Sequence, residues 1–361
     1  MFRSRIAGIG MYLPKNVVTN NDLTRVMDTS DEWIQERTGI KERRYATPFE
    51  DTTTTMGVEA ARIAMERAGV VTSDIDFIIF STLSPDYYFP GCGVLAQRAL
   101  GMSEIGALDI RNQCSGFIYA LSVADQFIKT GMYENILLIA SETHSYGLDF
   151  STRGRNVSVI FGDGAGAVVL RAEPGEAQAR TDGSSGSRSK GILSTHLHSD
   201  GSQAEILSMM NPGFHVGKFV PEKKPAKPDQ PYGGLFLTKE LIEKEDIYPY
   251  MDGQSVFKKA IVKFPEVILE ALKANNLQLS DINLLIPHQA NLRISQMMQH
   301  QLKLRDDQVY NNIQKYGNTT AASIPIALCE AWENGKVKDN DLICLAAFGS
   351  GFTWASALIR W

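Results

Sequence analysis

Ala64–Ile79, AMERAGVVTSDIDFII, and Ala271–Ile286, ALKANNLQLSDINLLI, align without a gap, each reading as a helix end, a polar break, Ser-Asp-Ile and a buried strand. Further on, Met132–Ala140 (MYENILLIA) resembles Val337–Ala346 (VKDNDLICLA), a polar turn into an apolar strand at nearly the same offset. A similarity held at one offset over such a distance is the mark of a duplication. Helices alternating with short Ile/Val/Leu strands predict layered sheets covered by helices. The chain therefore divides into two related α/β halves, residues 1–175 and 176–361.

Within the first half, Ala107-Leu-Asp-Ile-Arg-Asn-Gln-Cys-Ser-Gly-Phe117 ends a strand-like run on a thiol and starts a helix at once. Phe117, Leu121, Ala124 and Ile128 fall on one helix face. A thiol there meets unpaired backbone N–H groups and the positive end of the helix dipole, which favour thiolate. Cys114 is read as a nucleophile on that ground, although a free cysteine is as often a buried, inert core residue. The duplication adds a second argument. Cys114 corresponds within a few residues to Asn318-Thr319-Thr320, and His288 follows the repeated strand in Pro287-His-Gln-Ala-Asn-Leu-Arg293. Taken singly, His288 is a loop histidine and Asn318 a turn or cap residue. Taken together at related positions, the three are expected to meet in one crevice between the halves.

The 361 residues carry a formal charge of −5, which offers no broad basic field to nucleic acid or an anionic membrane. No apolar run reaches transmembrane length, and Met1–Lys15 has no signal-peptide core. Cys92, Cys114, Cys329 and Cys344 form no CxxC pair, so reduced thiols and a cytoplasmic location are expected, with Cys344 in the core. Glu176–Lys190 reads as an exposed loop. Asn211–Asp252, with Pro221-Glu-Lys-Lys-Pro-Ala-Lys-Pro228, reads as a surface insertion at about 211–250 whose flank, Leu235–Ile242, is a short helix or strand. Gly162-Asp-Gly-Ala-Gly166 lacks the lysine of a phosphate loop and reads as a hairpin turn. His196 and His198 alternate as on a strand, with no third ligand at metal spacing, so no metal is expected.

Nearly end to end, from Gly8-Ile-Gly-Met-Tyr-Leu-Pro14 to Gly351-Phe-Thr-Trp-Ala-Ser-Ala-Leu358, the chain resembles the β-ketoacyl-acyl-carrier-protein synthase III family of thiolase-like condensing enzymes. The resemblance rests on Thr29–Ile40, Cys114-Ser-Gly-Phe117, Phe161-Gly-Asp-Gly-Ala-Gly166, Ser194-Thr-His-Leu-His198, Pro287–Arg293 and Gly317-Asn318. It implies a duplicated five-layer αβαβα fold, a homodimer, and condensation of an acyl-CoA with malonyl-acyl carrier protein, without a cofactor. It implies a catalytic triad of Cys114, His288 and Asn318, and an oxyanion site of backbone N–H groups at Cys114 and Ser350. By position it further implies that Thr29, Trp33, Arg37, Arg155 and Asn291 bind CoA. Phe89 would shape the partner's acyl pocket, and Lys258 and Arg293 would dock the carrier protein.

Four departures from the family pattern bear on the substrate. Ser350 replaces a glycine, Arg111-Asn-Gln113 replaces small residues before the nucleophile, Arg153 competes with Arg155 for the adenine, and the insertion adds length near the site. The alternatives are a related synthase for longer or unusual acyl groups in specialised lipid or polyketide assembly, and a noncatalytic partner subunit.

Overall fold

The computed structural model describes residues 2–174, 190–213 and 236–361. The expected loop over 176–190, apart from its last residue, and the Pro/Lys-rich segment of the insertion lie outside the described residues.

Two sheets repeat one topology. In the first, β1 (Phe2–Tyr12) runs antiparallel to β5 (Gly164–Pro174), β5 antiparallel to β4 (Asn135–Glu142), β4 parallel to β2 (Phe77–Ser81), and β2 parallel to β3 (Gly106–Ile110). In the second, β6 (Gly191–Ser199) runs antiparallel to β9 (Thr353–Arg360), β9 antiparallel to β8 (Leu342–Gly349), and β8 parallel to β7 (Leu284–Pro287). A single parallel bridge from Leu285 to Val309 stands where the first sheet has β3. The central strands β4 and β8 are continuous apolar runs because both of their faces are covered.

Helices α4 (Gly116–Lys129) and α7 (Ser323–Glu333) form the middle layer. Phe117, Leu121, Ala124 and Ile128 of α4 pack with Ile324, Ala327, Leu328 and Ala331 of α7 between the inner faces of the sheets. Outside the first sheet lie α2 (Thr53–Ala68) and α3 (Cys92–Leu100); outside the second lie α5 (Gly253–Ala274) and α6 (Leu292–Leu302). The order is helix, sheet, helix, sheet, helix, the five-layer arrangement expected. Local sequence sets the helix ends: Thr52 caps α2 through Thr55 N–H, Gly69 closes it at φ 65°, and Asp252 caps α5.

One local reading needs adjustment and one alternative is settled. Gly162–Gly166 is not a hairpin turn. The residues before it coil into a helical turn, Arg155–Ser158, and Gly162 packs so closely on the Tyr316 carbonyl that a Cβ would lie 2.2 Å from it. Val159 and Ile160 then fill a small core with Ile34 and Ile40 instead of pairing as a strand. In the insertion's flank the helical alternative holds over Lys239–Glu243, where Thr238 Oγ1 caps Leu241 N–H. Cys344 lies in β8 and is fully buried, as expected.

Candidate active site

Cys114 sits in a single 3-10 turn, Gln113–Ser115, that leads directly into α4. Gln113 is held at φ 43°, an uncommon conformation for a residue with a side chain. The end of β8 passes against the nucleophile: a Cβ on Gly349 would lie 2.5 Å from Cys114 Cβ and 3.0 Å from Sγ. Backbone N–H groups of Ser350 and of Cys114 itself face the sulfur. The expectation that the helix N-terminus yields a thiolate is reversed here. Burial, and secondarily the charge of Glu142, push the thiol up to about 12, and the two N–H groups only partly oppose them. Cys114 therefore rests as a thiol.

His288 directly follows β7, its N–H donating to the Ala346 carbonyl of β8 at 2.8 Å. Its Nδ1 lies 2.6 Å from Ser323 Oγ, the first residue of α7. That oxygen also accepts Gln289 N–H at 3.3 Å; with its hydroxyl proton directed to Nδ1, the ring proton sits on Nε2. Nε2 is buried with no hydrogen-bond partner among the described residues. Burial first, and His144 second, push the imidazole down to about 3, so His288 is a neutral donor.

Asn318 is gripped by its backbone. Its N–H donates to Ile160 O at 2.9 Å, and its carbonyl accepts Gly162 N–H at 3.0 Å. Asn318 Oδ1 accepts Thr320 N–H at 2.8 Å, which leaves both protons of Nδ2 available. Cys114, His288 and Asn318 line one cavity of about 110 Å³, together with Asn291, Phe161, Phe257 and Gly349. The crevice expected from the duplication is thus present.

The other singled-out residues fall in three places. Trp33 on α1 (Asp31–Thr38) has the Arg37 guanidinium 4.4 Å and that of Arg155 5.2 Å from its ring centre. Asn291 joins this cluster to the cavity, its Nδ2 donating to Arg37 O at 3.0 Å. Thr29 adjoins α1 with its hydroxyl buried and unpartnered among the described residues. Arg153 instead turns to the insertion, paired with Asp149 and Glu245 and lying 5.4 Å from the Tyr248 ring. Lys258 on α5 and Arg293 on α6 are exposed beside the lining residues Phe257 and Asn291. Phe89 is 79% exposed and does not line the cavity.

Leu207 and Met251 pair across the base of the insertion and both line the cavity. The Ser350 hydroxyl donates to Leu207 O, so this side chain ties the segment that leads into the insertion to the site wall. His196 and His198 both face Glu270, and no metal-binding group of three such side chains occurs among the described residues.

Sequence reasoning missed the polar layer behind the cavity. Glu142, at the end of β4, is fully buried, and its carboxylate accepts from Thr82 Oγ1, Leu83 N–H, and both the N–H and hydroxyl of Ser84. Burial still pushes it up to about 7. His144 and Ser323 were missed as well. The only sequence signal for Glu142 and His144 is the polar run Ser141-Glu-Thr-His144 at the end of an apolar strand, and Ser323 has none.

Comparison with known proteins shows the family and the fold. Residues 108–201 match the family model described as 3-oxoacyl-[acyl-carrier-protein (ACP)] synthase III, and residues 272–361 match its C-terminal model. A β-ketoacyl-[acyl-carrier-protein] synthase III of Rhodospirillum centenum is 44% identical over 359 residues, 99% of each chain. The crystal structure of 3-oxoacyl-[acyl-carrier-protein] synthase III from Aquifex aeolicus superposes with a TM-score of 0.83 at 40% identity, covering 99% of this chain and 100% of that one. The priming β-ketosynthase of the R1128 polyketide pathway is 30% identical with a TM-score of 0.82, covering 99% of this chain and 96% of that one. With a duplicated fold, a buried thiol and two aimed donors on one side, and full-length relatives on the other, the chain belongs to the 3-oxoacyl-[acyl-carrier-protein] synthase III family.

Proposed function

We propose that the protein joins an acyl-CoA primer to malonyl-acyl carrier protein by decarboxylative Claisen condensation, giving the β-ketoacyl-carrier protein that starts fatty-acid synthesis. The observation that carries this reading is the set of donors around one thiol: the unpartnered Nε2–H of His288 and the free amide protons of Asn318 share a cavity with Cys114.

Cys114 Sγ attacks the thioester carbonyl of the acyl-CoA. The C–S bond to CoA breaks, the thiol proton leaves with CoA, and the acyl group stays on the enzyme. The N–H groups of Cys114 and Ser350 receive the carbonyl oxygen as it takes up charge. Malonyl-carrier protein then enters. Its C–C bond breaks, CO₂ departs, and the electron pair passes to an enolate whose oxygen accepts from His288 Nε2–H and Asn318 Nδ2–H. Each such donor is worth roughly 10²–10³ in rate. The carbanion attacks the acyl carbon, and the Cys114 thiolate departs and takes a proton from solvent. No step calls for a cofactor or a metal.

The Trp33, Arg37 and Arg155 cluster, with Thr29 and Asn291, offers stacking and charge to the CoA nucleotide and pantetheine. Lys258 and Arg293 offer charge to an acidic carrier protein at the cavity rim. Exposed Tyr87, Tyr88 and Phe89 form an apolar surface suited to a second copy of the chain, in keeping with a homodimer. None of the described helices is long and apolar enough to cross a membrane; a cytoplasmic site of action is part of the proposal.

Leu207 and Met251 at the cavity wall favour one second reading, a synthase for longer or unusual acyl groups, because these two residues flank the insertion and line the space the primer must occupy. Intact-mass measurement after incubation with acyl-CoAs from acetyl to long chain separates the two, with Cys114→Ala as control. Acetyl or short branched adducts on Cys114 support initiation, and adducts with only long or unusual groups select the second reading. No adduct at all, or an adduct on Cys114→Ala, overturns the assignment.

A further inference from the structure

His144 follows β4 and is buried behind the cavity without lining it. Its backbone is fixed: the N–H donates at 2.7 Å to Asp163 Oδ1, a buried carboxylate that also accepts from Ser145 N–H and Ala46 N–H. The ring packs on Phe161, with centres 4.7 Å apart, and the backbone of Phe161 bridges to that of Asn318. On its other side, His144 Nε2 lies 2.7 Å from Thr320 Oγ1.

Thr320 is the residue whose N–H holds Asn318 Oδ1. It sits at φ 48°, a strained position for a β-branched residue that costs on the order of 1–3 kcal/mol and persists only where neighbours enforce it. His144 is that neighbour for the hydroxyl. Burial pushes its imidazole down to about 3, so the ring meets the hydroxyl as a neutral hydrogen-bond partner.

We infer that His144 is a positioning residue for the condensation half-reaction: through the Thr320 hydroxyl it holds the turn that aims the Asn318 amide at the enolate oxygen. This inference rests on the function proposed above. Cys114 acylation, which uses the N–H groups of Cys114 and Ser350, does not pass through this chain of contacts. The two half-reactions should therefore respond differently.

The test measures CO₂ release from malonyl-carrier protein and, separately, the rate of Cys114 acylation by acyl-CoA. His144→Leu keeps bulk and removes the hydrogen bond. It is expected to lower kcat for CO₂ release about tenfold, with KM and the acylation rate unchanged. Thr320→Val should do the same, and the double variant should lose little more than either single one, because both cut the same link. His144→Gln and Thr320→Ser, which retain a hydrogen-bonding group, should recover most of the rate. A wild-type enzyme that releases CO₂ beside a His144→Leu variant of equal rate overturns the inference alone. So does an equal loss in both half-reactions, or full additivity in the double variant. A wild-type enzyme that neither acylates nor releases CO₂ overturns the functional reading, and this inference with it.

Discussion

The offset that carries Ala64 to Ala271 also carries Gln113 to Thr320, Cys114 to Ala321, Gly116 to Ser323, Ser81 to His288 and Glu142 to Gly349. Gln113 and Thr320 both adopt left-handed φ, 43° and 48°, and both open a turn that enters a middle-layer helix. The backbone of the Cys114 turn thus exists twice. The side chains on it differ in one consistent direction. Beside Cys114 stands Gly349, which leaves room for a substrate; beside Ala321 stands Glu142, whose carboxylate takes the Ala321 N–H and fills the corresponding space. The His288–Ser323 pair has as its mirror Ser81 and Gly116, where a Cβ would lie only 2.3 Å from Ser81 Oγ. One copy of the turn holds a cavity and the other is packed shut. Duplication supplied the frame, and a few side chains decided which copy does chemistry.

The strongest way to break this comparison is to move the thiol. In the double variant Cys114→Ala/Ala321→Cys, the nucleophile occupies the mirror turn, facing the Glu142 carboxylate and away from His288. Acylation by acyl-CoA, read by intact mass, is expected to fall at least about a thousandfold below wild type. Acylation of the introduced thiol at a comparable rate would mean that the turn alone makes the site. Filling the open copy is the converse. In Gly349→Ala the methyl group overlaps Cys114 Cβ, and overpacking of this kind costs about 1–3 kcal/mol. The burst of acylation should slow about a hundredfold with a modest drop in Tm. An unimpaired burst would remove free space from the explanation.

Glu142 makes the packed copy sensitive to pH. Its ordinary value of 4.5 is raised to about 7 by burial, so the folded protein keeps a proton that an unfolded glutamate has already released. That contribution to stability is complete below about pH 4.5 and is lost as pH rises through about 7. The limit set by the shift is about 3 kcal/mol. In Glu142→Gln nothing titrates there. The Tm of wild type should therefore fall relative to this variant between pH 5 and pH 8, a difference on the order of 2 kcal/mol. Parallel Tm profiles would show that Glu142 is ionised throughout that range, held by its hydrogen-bond donors.

Much of this was readable before any coordinates. The helix face of Phe117, Leu121, Ala124 and Ile128 is buried throughout, because a 3.6-residue period records which side meets the core. The repeat encoded the topology of both sheets, and with it the place where Cys114, His288 and Asn318 converge. What escaped was set by packing between the halves. Ser141-Glu-Thr-His144 has the composition of an exposed turn, yet it is buried, because β4 packs against the turn Thr320–Ala322 of the other half as β8 packs against Gln113–Ser115. The thiolate expected of Cys114 failed for the same reason. A helix end favours charge, but full burial opposes it more strongly, and burial is a property of the assembled layers.

The finest comparison is between two arginines two residues apart. Arg155 donates to Asp28 O at 2.6 Å and lies over Trp33, within the cluster that Asn291 links to the cavity. Arg153 is held by Asp149, Glu245 and the ring of Tyr248, on the side of the insertion. A guanidinium over an aromatic ring at such a partly exposed site contributes about 1 kcal/mol. Arg155→Ala should therefore raise KM for the acyl-CoA about fivefold with kcat little changed, whereas Arg153→Ala should raise it less than about twofold. The reverse result would move the nucleotide from the Trp33 cluster to the wall built by the insertion. The extra segment would then be a binding element of this enzyme, and the two sides of the cavity mouth would exchange roles.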